Sequence, residues 1–214
     1  MKNTTLAVSI VATLAGLGMS SITSGAVVVL NSRATWNAYV GFQGATVAEE
    51  DFESFAPGFA ASATRTVGGT TWTANATGGI YFGDVNVPPV HQVISTNGAN
   101  ATLNFTFAPG VQGIGGEMFA TNASFGVVPA RITVMLADGT SYVNDQTSAS
   151  DFVGFYSNGA AIASLSVSTS TEGTFATVDN LYFATVPAPG ALALISLAGV
   201  VGGRSRRRAT SAAV

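Results

Sequence analysis

Short runs in which apolar and polar residues alternate recur through the middle of the chain. In residues 101–107, Leu103, Phe105 and Phe107 alternate with polar neighbours, and residues 130–136 repeat the pattern. A period of two is the signature of a strand with one buried face. Comparable apolar or aromatic runs predict further strands at residues 26–30, 70–74, 79–82, 113–120, 140–143, 152–156, 164–168 and 177–183.

Turn-forming residues separate these runs. Asp138-Gly139 lies between two of them, and an Asp-Gly pair readily adopts the positive φ of a tight hairpin turn. Ten or so short strands joined by frequent turns predict an all-β fold, an antiparallel β-sandwich.

One segment has a helical pattern instead. Ser32 is a suitable N-cap, and Gly41 is a suitable stop. Between them, Trp36 and Tyr39 fall three residues apart on one face. We expect these rings to cover one end of the sandwich, with an exposed platform for stacking a ligand as the alternative.

The beginning of the chain has the layout of a secretory signal peptide. Lys2 is followed by an apolar run at residues 6–19, and Ser24 and Ala26 are the small residues expected at positions −3 and −1. Cleavage before Val27 is predicted. The alternative is an uncleaved anchor helix, although the apolar run is short for a bilayer span of about 20 residues.

The end of the chain combines a proline motif, an apolar run at residues 190–203 and an arginine cluster. The run is short for a membrane-spanning helix, and the arginines would keep the terminus cytoplasmic during a transient stay in the membrane. The motif residues are Val186, Pro187, Ala188 and Pro189, and the cluster contains Arg204, Arg206, Arg207 and Arg208.

This order of parts resembles the PEP-CTERM sorting signal of exported bacterial proteins. Ala188 stands where glutamate is typical, and VPAP followed by GALAL resembles a variant of the motif. The resemblance implies processing by an exosortase at the surface of bacteria that make exopolysaccharide; a plain anchor or a disordered tail is the alternative. The predicted organisation is a leader at 1–26, a sandwich domain at 27–185 and a sorting tail at 186–214.

The middle of the chain is similar to a domain found on PEP-CTERM proteins. The similar parts are the helix SRATWNAYVG, an acidic-aromatic strand at residues 50–55, the pair of strands in FTFAPGVQGIGGEM, the strand DFVGFYS and a closing strand at residues 178–183. The resemblance covers most of residues 27–183. It implies a jelly-roll-like sandwich rather than a particular activity.

Charge is scarce and unevenly distributed. All eleven acidic residues lie between Glu49 and Asp179, and this stretch with its flanks has only three cationic residues, Arg33, Arg65 and Arg131, which leaves the central body a net charge of −8. An acidic body repels phosphate backbones, so nucleic-acid binding is not expected. The absence of cysteine excludes disulfides, thiolate metal sites and cysteine nucleophiles.

No catalytic motif is visible. His91 is the only histidine, and the chain contains no Gly-x-Ser-x-Gly elbow for a serine triad. One histidine without cysteine does not make the usual zinc site. Eleven acidic residues leave a two-carboxylate glycoside hydrolase open, but no pair stands out. We therefore predict that the protein is not an enzyme, with a glycoside hydrolase as the less favoured alternative.

The DFE and VDN runs resemble those of jelly-roll carbohydrate-binding modules, which often hold calcium between two such strands. The resemblance implies a structural Ca²⁺ bound by Glu53 and Asp179, with Asp51 as a third candidate ligand, since calcium prefers oxygen ligands. In the alternative, Asp179 turns or caps the last strand and Glu53 pairs with Arg65 or Arg131.

These features predict a cell-surface or extracellular-matrix protein with a structural or adhesive role. The alternative is a carbohydrate-binding module that acts on exopolysaccharide, which would need exposed aromatic rings on a sheet. Core packing is the default expectation for the available rings, which are Trp36, Trp72, Tyr81, Tyr142 and Tyr156.

Overall fold

The computed structural model confirms the predicted fold class, an antiparallel, jelly-roll-like β-sandwich with one short N-terminal helix. The predicted leader, residues 1–26, and the predicted sorting tail beyond Val186 lie outside the described residues. No helix among the described residues is long and apolar enough to cross a membrane. The structure describes residues 27–85, 91–124, 126–137, 139, 141–146, 152–169 and 171–186.

The one helix of this described part, α1, spans Arg33–Phe42. The strands are Val27–Leu30 (β1), Thr46–Glu50 (β2), Gly58–Val67 (β3), Thr70–Val85 (β4), His91–Thr96 (β5), Leu103–Phe107 (β6), Val111–Asn122 (β7), Val127–Val128 (β8), Ala130–Leu136 (β9), Ser141–Gln146 (β10), Phe152–Ser157 (β11), Ile162–Ser168 (β12) and Thr174–Thr185 (β13).

The strands form two layers that share β4. The front sheet has the order β1-β11-β7-β13-β5-β4, and the back sheet has the order β4-β6-β12-β9-β10. Residues 80–85 of β4 pair with β5, whereas residues 72–75 pair with β6. Gly78 and Gly79 lie between these two parts with φ of 84° and 85°, a backbone conformation that glycine adopts without steric cost. The glycine pair therefore lets one strand bend from one layer into the other.

β13 changes its partner at a bulge. Its end, Leu181 to Thr185, pairs with β2, and the register against β7 shifts between Val178 and Leu181. The carbonyl oxygen of Asn180 occupies the place where a β-carbon of Gly116 would stand. Glycine at position 116 is thus what allows the bulge to lie against β7.

The core lies between the two sheets and is rich in aromatic rings. Burying an apolar side chain of this size contributes about 1.5–3 kcal/mol relative to leaving it exposed. The largest side chains with no exposed surface in the main core cluster are Phe52, Trp72, Ile80, Ile94, Leu103, Phe105, Ile114, Met118, Ile132, Phe155 and Phe183.

Helix α1 packs against the outer face of the front sheet. The ring of Trp36 is fully buried over Gly154, and its Nε1 donates a hydrogen bond to the carbonyl oxygen of Phe155 at 3.3 Å. Tyr39 packs edge-on against Tyr156, with ring centroids 5.4 Å apart. These two aromatic residues cover part of the sandwich, but on the outer face of the front sheet rather than at its end: Trp36 packs with Phe152 and Tyr182, whereas the alternate residues Val153 and Phe183 point into the main core.

The predicted strand at residues 50–55 is wrong. β2 ends at Glu50, and Phe52 has a φ of 58°, which lies in the left-handed region and outside the range of a non-glycine strand residue. The buried carboxylate of Glu50 explains the break, because it accepts hydrogen bonds from the Phe52 N–H, Trp72 Nε1 and Arg65 Nη1, each at 3.1 Å. Burial raises the pKa of Glu50, and these hydrogen bonds and the positive charge of Arg65 oppose the rise.

Candidate functional site

Most of the aromatic rings considered for ligand binding belong to the core. Trp36 and Trp72 have no exposed surface, and Tyr156 is 4% exposed. Tyr142 is partly buried and packs against the main core. Tyr81 differs from the others, since 42% of it is exposed on the outer side of the front sheet.

Tyr81 has an aromatic neighbour that the pattern of the sequence did not reveal. Phe59 on β3 is its register partner, and it is 63% exposed. Directly opposed residues of antiparallel strands point to the same face. Phe59 and Tyr81, here called the aromatic pair, therefore present two rings on one side of the sheet.

Glycines lie beneath both rings. The ring of Phe59 covers Gly79, and the ring of Tyr81 covers Gly83, where a β-carbon would lie 2.6 Å from Tyr81 Cε1. A side chain at either position would lift the ring above it. The absence of side chains at 79 and 83 thus allows each ring to lie along the sheet.

A groove of about 240 Å³ begins beside Tyr81 and continues over the neighbouring strands. Two hydroxyl groups that line it, those of Ser95 and Thr121, lie 3.0 Å and 3.4 Å from the hydroxyl of the fully buried Thr177 beneath them. Apolar surface and a few placed polar groups are typical of small-molecule sites. The residues that line the groove are Tyr81, Ser95, Thr96, Asn97, Thr121, Asn122, Ala123 and Phe175.

Two exposed amide side chains lie at the groove, and each has one polar atom without a hydrogen-bond partner among the described residues. Asn122 Oδ1 accepts the N–H groups of Ser124 and Gly126, both at 2.9 Å, while its Nδ2 has no acceptor among the described residues. Asn97 has the opposite arrangement, because its Nδ2 donates to the carbonyl of Gly78 at 3.2 Å and its Oδ1 has no donor in the same part of the chain. The groove therefore offers both a donor and an acceptor.

The predicted calcium ligands lie at the other end of the front sheet. Glu53 is half exposed, and its Oε1 accepts the N–H of Gln92 at 2.8 Å and lies 3.9 Å from His91 Nδ1. Asp51 Oδ1 accepts the N–H of Glu53 at 3.2 Å. Asp179 lies in the bulge of β13, and its buried Oδ1 has no hydrogen-bond partner within the described residues.

The environment of Asp179 is unusual for a carboxylate. Burial raises its pKa to about 6, with smaller upward contributions from the charges of Glu117 and Glu53. His91 and Arg33 act in the opposite direction. Arg33 is already paired, since its Nη2 donates to Glu117 Oε1 at 2.6 Å. Asp179 is therefore partly protonated near pH 6.

The described side chains do not form a metal site by themselves. Among them, no group of three or more histidine, cysteine, aspartate or glutamate residues is arranged to hold a metal ion. The predicted structural Ca²⁺ stays a prediction. The alternative partners of Glu53 are wrong: Arg65 pairs with Glu50 at 3.1 Å, and Arg131 makes two hydrogen bonds to Asp145, at 2.7 and 3.0 Å.

No family model and no curated protein matches this chain. A family 11 carbohydrate-binding module from Clostridium thermocellum, solved with a β-1,3-1,4-mixed-linked tetrasaccharide, is 14% identical with a TM-score of 0.32, over 66% of this chain and 98% of that one. The family 11 module of the cellulosomal cellulase Lic26A-Cel5E is 12% identical with a TM-score of 0.29, over 67% and 99%.

The enzymatically active domain of bacteriophage CBA120 tailspike protein 4 is 21% identical, with a TM-score of 0.28 over 52% of this chain. The match spans about a fifth of that protein, 19% of its chain. Similarities as weak as these three assign the chain to no family.

Proposed function

We propose that this chain is an exported surface protein whose β-sandwich binds carbohydrate at the aromatic pair and the groove. The observation that carries the proposal is the pair of exposed rings, each lying over a glycine, next to a groove with hydroxyl and amide groups. A sugar ring has apolar C–H faces and a polar edge. The first suits an aromatic face, and the second suits hydrogen-bonding side chains.

The exposure of the aromatic pair leaves apolar surface whose burial would contribute favourable free energy. Full burial of a phenylalanine contributes about 1.5–3 kcal/mol, and Phe59, at 63% exposure, leaves most of this unrealised within the described fold. A ligand that covers both rings would gain apolar contact at this position. Contiguous exposed apolar surface of this kind is typical of interaction sites.

Binding without catalysis is the activity that we propose. Among the described residues, the two carboxylates of the front sheet with buried oxygens that lack a hydrogen-bond partner are Glu117 and Asp179, and neither lines the groove. Their unpartnered oxygens, Glu117 Oε2 and Asp179 Oδ1, are also inaccessible to solvent. This burial favours a structural role for the two groups over an attack on a substrate.

Export rests on the two ends of the sequence. The small residues before Val27 and the VPAP motif with its arginine cluster support cleavage of a leader and processing of the tail by an exosortase. Exopolysaccharide at the cell surface is then the carbohydrate that the domain would meet first. A structural or adhesive role in the matrix would follow from that binding.

A glycan array probed with the purified full-length protein tests the binding. We expect Tyr81→Ala and Phe59→Ala each to weaken binding to the captured glycans by about tenfold, or about 1.4 kcal/mol. Phe42→Ala is the matched control, because Phe42 is 86% exposed on α1, away from the groove. Absence of any captured glycan, or equal effects of all three substitutions, would contradict the proposal.

Export and processing need a separate experiment. The full-length chain, produced in a bacterium with and without its exosortase, is isolated by an internal tag and its termini are determined by mass spectrometry. We expect an N-terminus near Val27 in both strains and loss of the arginine cluster only where the exosortase is present. An intact chain retained inside both strains would refute the proposed destination.

A further inference from the structure

The geometry points to an extended, uncharged oligosaccharide as the ligand of the groove, lying across the strands, with acidic polysaccharides excluded. This inference rests on the proposed carbohydrate binding and specifies the class of glycan. Three observations carry it: the length of the face, the charges around it and the hydrogen-bonding groups in it.

The face is too long for one sugar unit. The register runs from Phe59 on β3 to Tyr81 on β4, then to Ser95 on β5 and Thr177 on β13, with β7 and Thr121 beyond. Four strand spacings from β3 to β7 amount to about 19 Å. A single pyranose ring covers only a fraction of this length. A ligand that contacts both the aromatic pair and the far side of the groove must therefore be a chain of several sugars.

The charges around the face are unfavourable to anions. None of the groove residues is charged, and the central body of the chain carries eleven acidic residues against three arginines. Asp84 lines a small cavity beside Tyr81 that adjoins the groove. Glu117 and Asp179 lie further along the same sheet, and Glu117 engages the nearby Arg33. The one histidine of the chain, His91, lies with its Nδ1 3.9 Å from Glu53 Oε1. A uronate polymer on this face would meet repulsion without a free arginine to offset it.

The hydrogen-bonding groups match hydroxyls better than carboxylates. Asn97 Oδ1 needs a donor and Asn122 Nδ2 needs an acceptor, and a sugar hydroxyl can act as either. The hydroxyls of Ser95 and Thr121, which line the groove, can each act as donor or acceptor. An ionised carboxylate only accepts, so it would leave Asn97 Oδ1 unpaired.

Calorimetric titration of the full-length protein tests the inference with named probes. The neutral probes are cellohexaose, laminarihexaose and mannohexaose, the acidic probes are hexagalacturonate and hexamannuronate, and glucose and mannose are the single units. We expect at least one neutral hexasaccharide to bind about tenfold or more tightly than either uronate and than either monosaccharide. Tyr81→Ala should remove this preference by weakening the neutral complex.

A change of charge at the groove sharpens the test. Asn97→Lys should raise the affinity for hexagalacturonate by about tenfold, and Asn97→Gln, which keeps the amide, should not. Rising salt should strengthen uronate binding to the unaltered protein, because it screens the repulsion.

The possible failures are distinguishable. A uronate that binds the unaltered protein as tightly as the neutral hexasaccharides, and loses affinity in Tyr81→Ala, would overturn the inference and leave the proposed function intact. A monosaccharide that binds as tightly as its hexasaccharide would overturn the requirement for an extended chain. No binding of any of the probes would count against both this inference and the proposed function.

Discussion

Two regions of the front sheet use the same arrangement, an aromatic ring lying over a glycine, with opposite results. At the helix-covered end, Trp36 lies over Gly154 and has no exposed surface. At the open end, Tyr81 lies over Gly83 and is 42% exposed. In the first case the ring comes from α1, which brings its own backbone over the sheet. In the second case the ring comes from the sheet itself, and its outer side stays available.

The difference implies that the enclosed ring contributes to folding stability, whereas the exposed ring is available to contact a ligand. A ring supplied by a second element is sandwiched, so the whole of its apolar surface contributes to folding. A ring that lies on its own strand buries only one of its sides in the folded protein. Its other side contributes to the free energy of binding when a ligand covers it. The two ends should therefore respond differently to the same kind of substitution.

The largest expected effect is that of Trp36→Ala. Removing a fully buried tryptophan typically costs about 3–5 kcal/mol of unfolding free energy, because a cavity remains where the ring stood. Here the loss would also release α1 from β11, since Trp36 Nε1 bonds to the carbonyl of Phe155. Urea denaturation followed by circular dichroism measures the change. A loss below about 1 kcal/mol would mean that the helix is not anchored by this ring.

Alanine substitutions of the two glycines compare the regions directly. Gly154→Ala places a β-carbon against the enclosed Trp36 ring, and such overpacking costs about 1–3 kcal/mol. Gly83→Ala meets the exposed ring of Tyr81, which has room to move, so its effect on stability should stay within about 0.5 kcal/mol.

The two substitutions should affect glycan affinity in the reverse order, with the larger effect for Gly83→Ala. Gly83→Ala is expected to weaken binding by about tenfold because the displaced ring no longer lies along the sheet, whereas Gly154→Ala should leave the affinity of the folded fraction unchanged. Equal effects of the two substitutions on both stability and affinity would remove the distinction between the regions.

The last prediction concerns Asp179, which lies on β13 between β7 and β5. Its pKa is raised from 3.8 to about 6 in the folded state, so the folded protein holds a proton that the unfolded chain has released. The stability from this proton is fully present below about pH 4 and is lost as the pH rises through about 6. Asp179→Asn should abolish this fall and give a higher Tm than the unaltered protein at pH 7.5.

A bound calcium ion would reverse the expected effect of Asp179→Asn on the Tm. A bound Ca²⁺ favours the ionised carboxylate, so the unaltered protein would then melt at a higher temperature in calcium than in EDTA, and Asp179→Asn would lose that difference. Thermal scans at pH 7.5 with either additive distinguish the two cases. Equal Tm values of the unaltered protein in calcium and in EDTA would refute the predicted calcium ion.

The elements that the sequence predicted well are those set by local chemistry. β9 matches residues 130–136 and pairs with β10, and Gly139 between the two strands has a φ of 87°. The helix follows Ser32 as predicted, although it extends one residue past Gly41. Periodicity and turn residues act within a few positions, so they are visible in the sequence.

β2, β3 and β5 were not predicted. The sequences of β2 and β3 explain why these two were missed. β3 consists largely of alanine, serine and threonine, and β2 ends in two glutamates, so neither has an apolar alternation. Glu50 is nevertheless buried, because Trp72 and Arg65 supply hydrogen bonds from distant positions. In the candidate site, Tyr81 is one of the five aromatic rings that the sequence offered for ligand binding. Phe59 was missed because it lies in a segment for which no strand was predicted.

By itself, the sequence determined the succession of strands and turns, the short helix, the acidic and cysteine-free body, and the two terminal patterns that predict export and sorting. The tertiary structure decided which rings are exposed. Trp36 and Tyr81 are both aromatic residues in amphipathic segments, and their chemistry alone does not separate them. Burial depends on whether another element lies over the ring, and that is a property of how distant parts of the chain pack together.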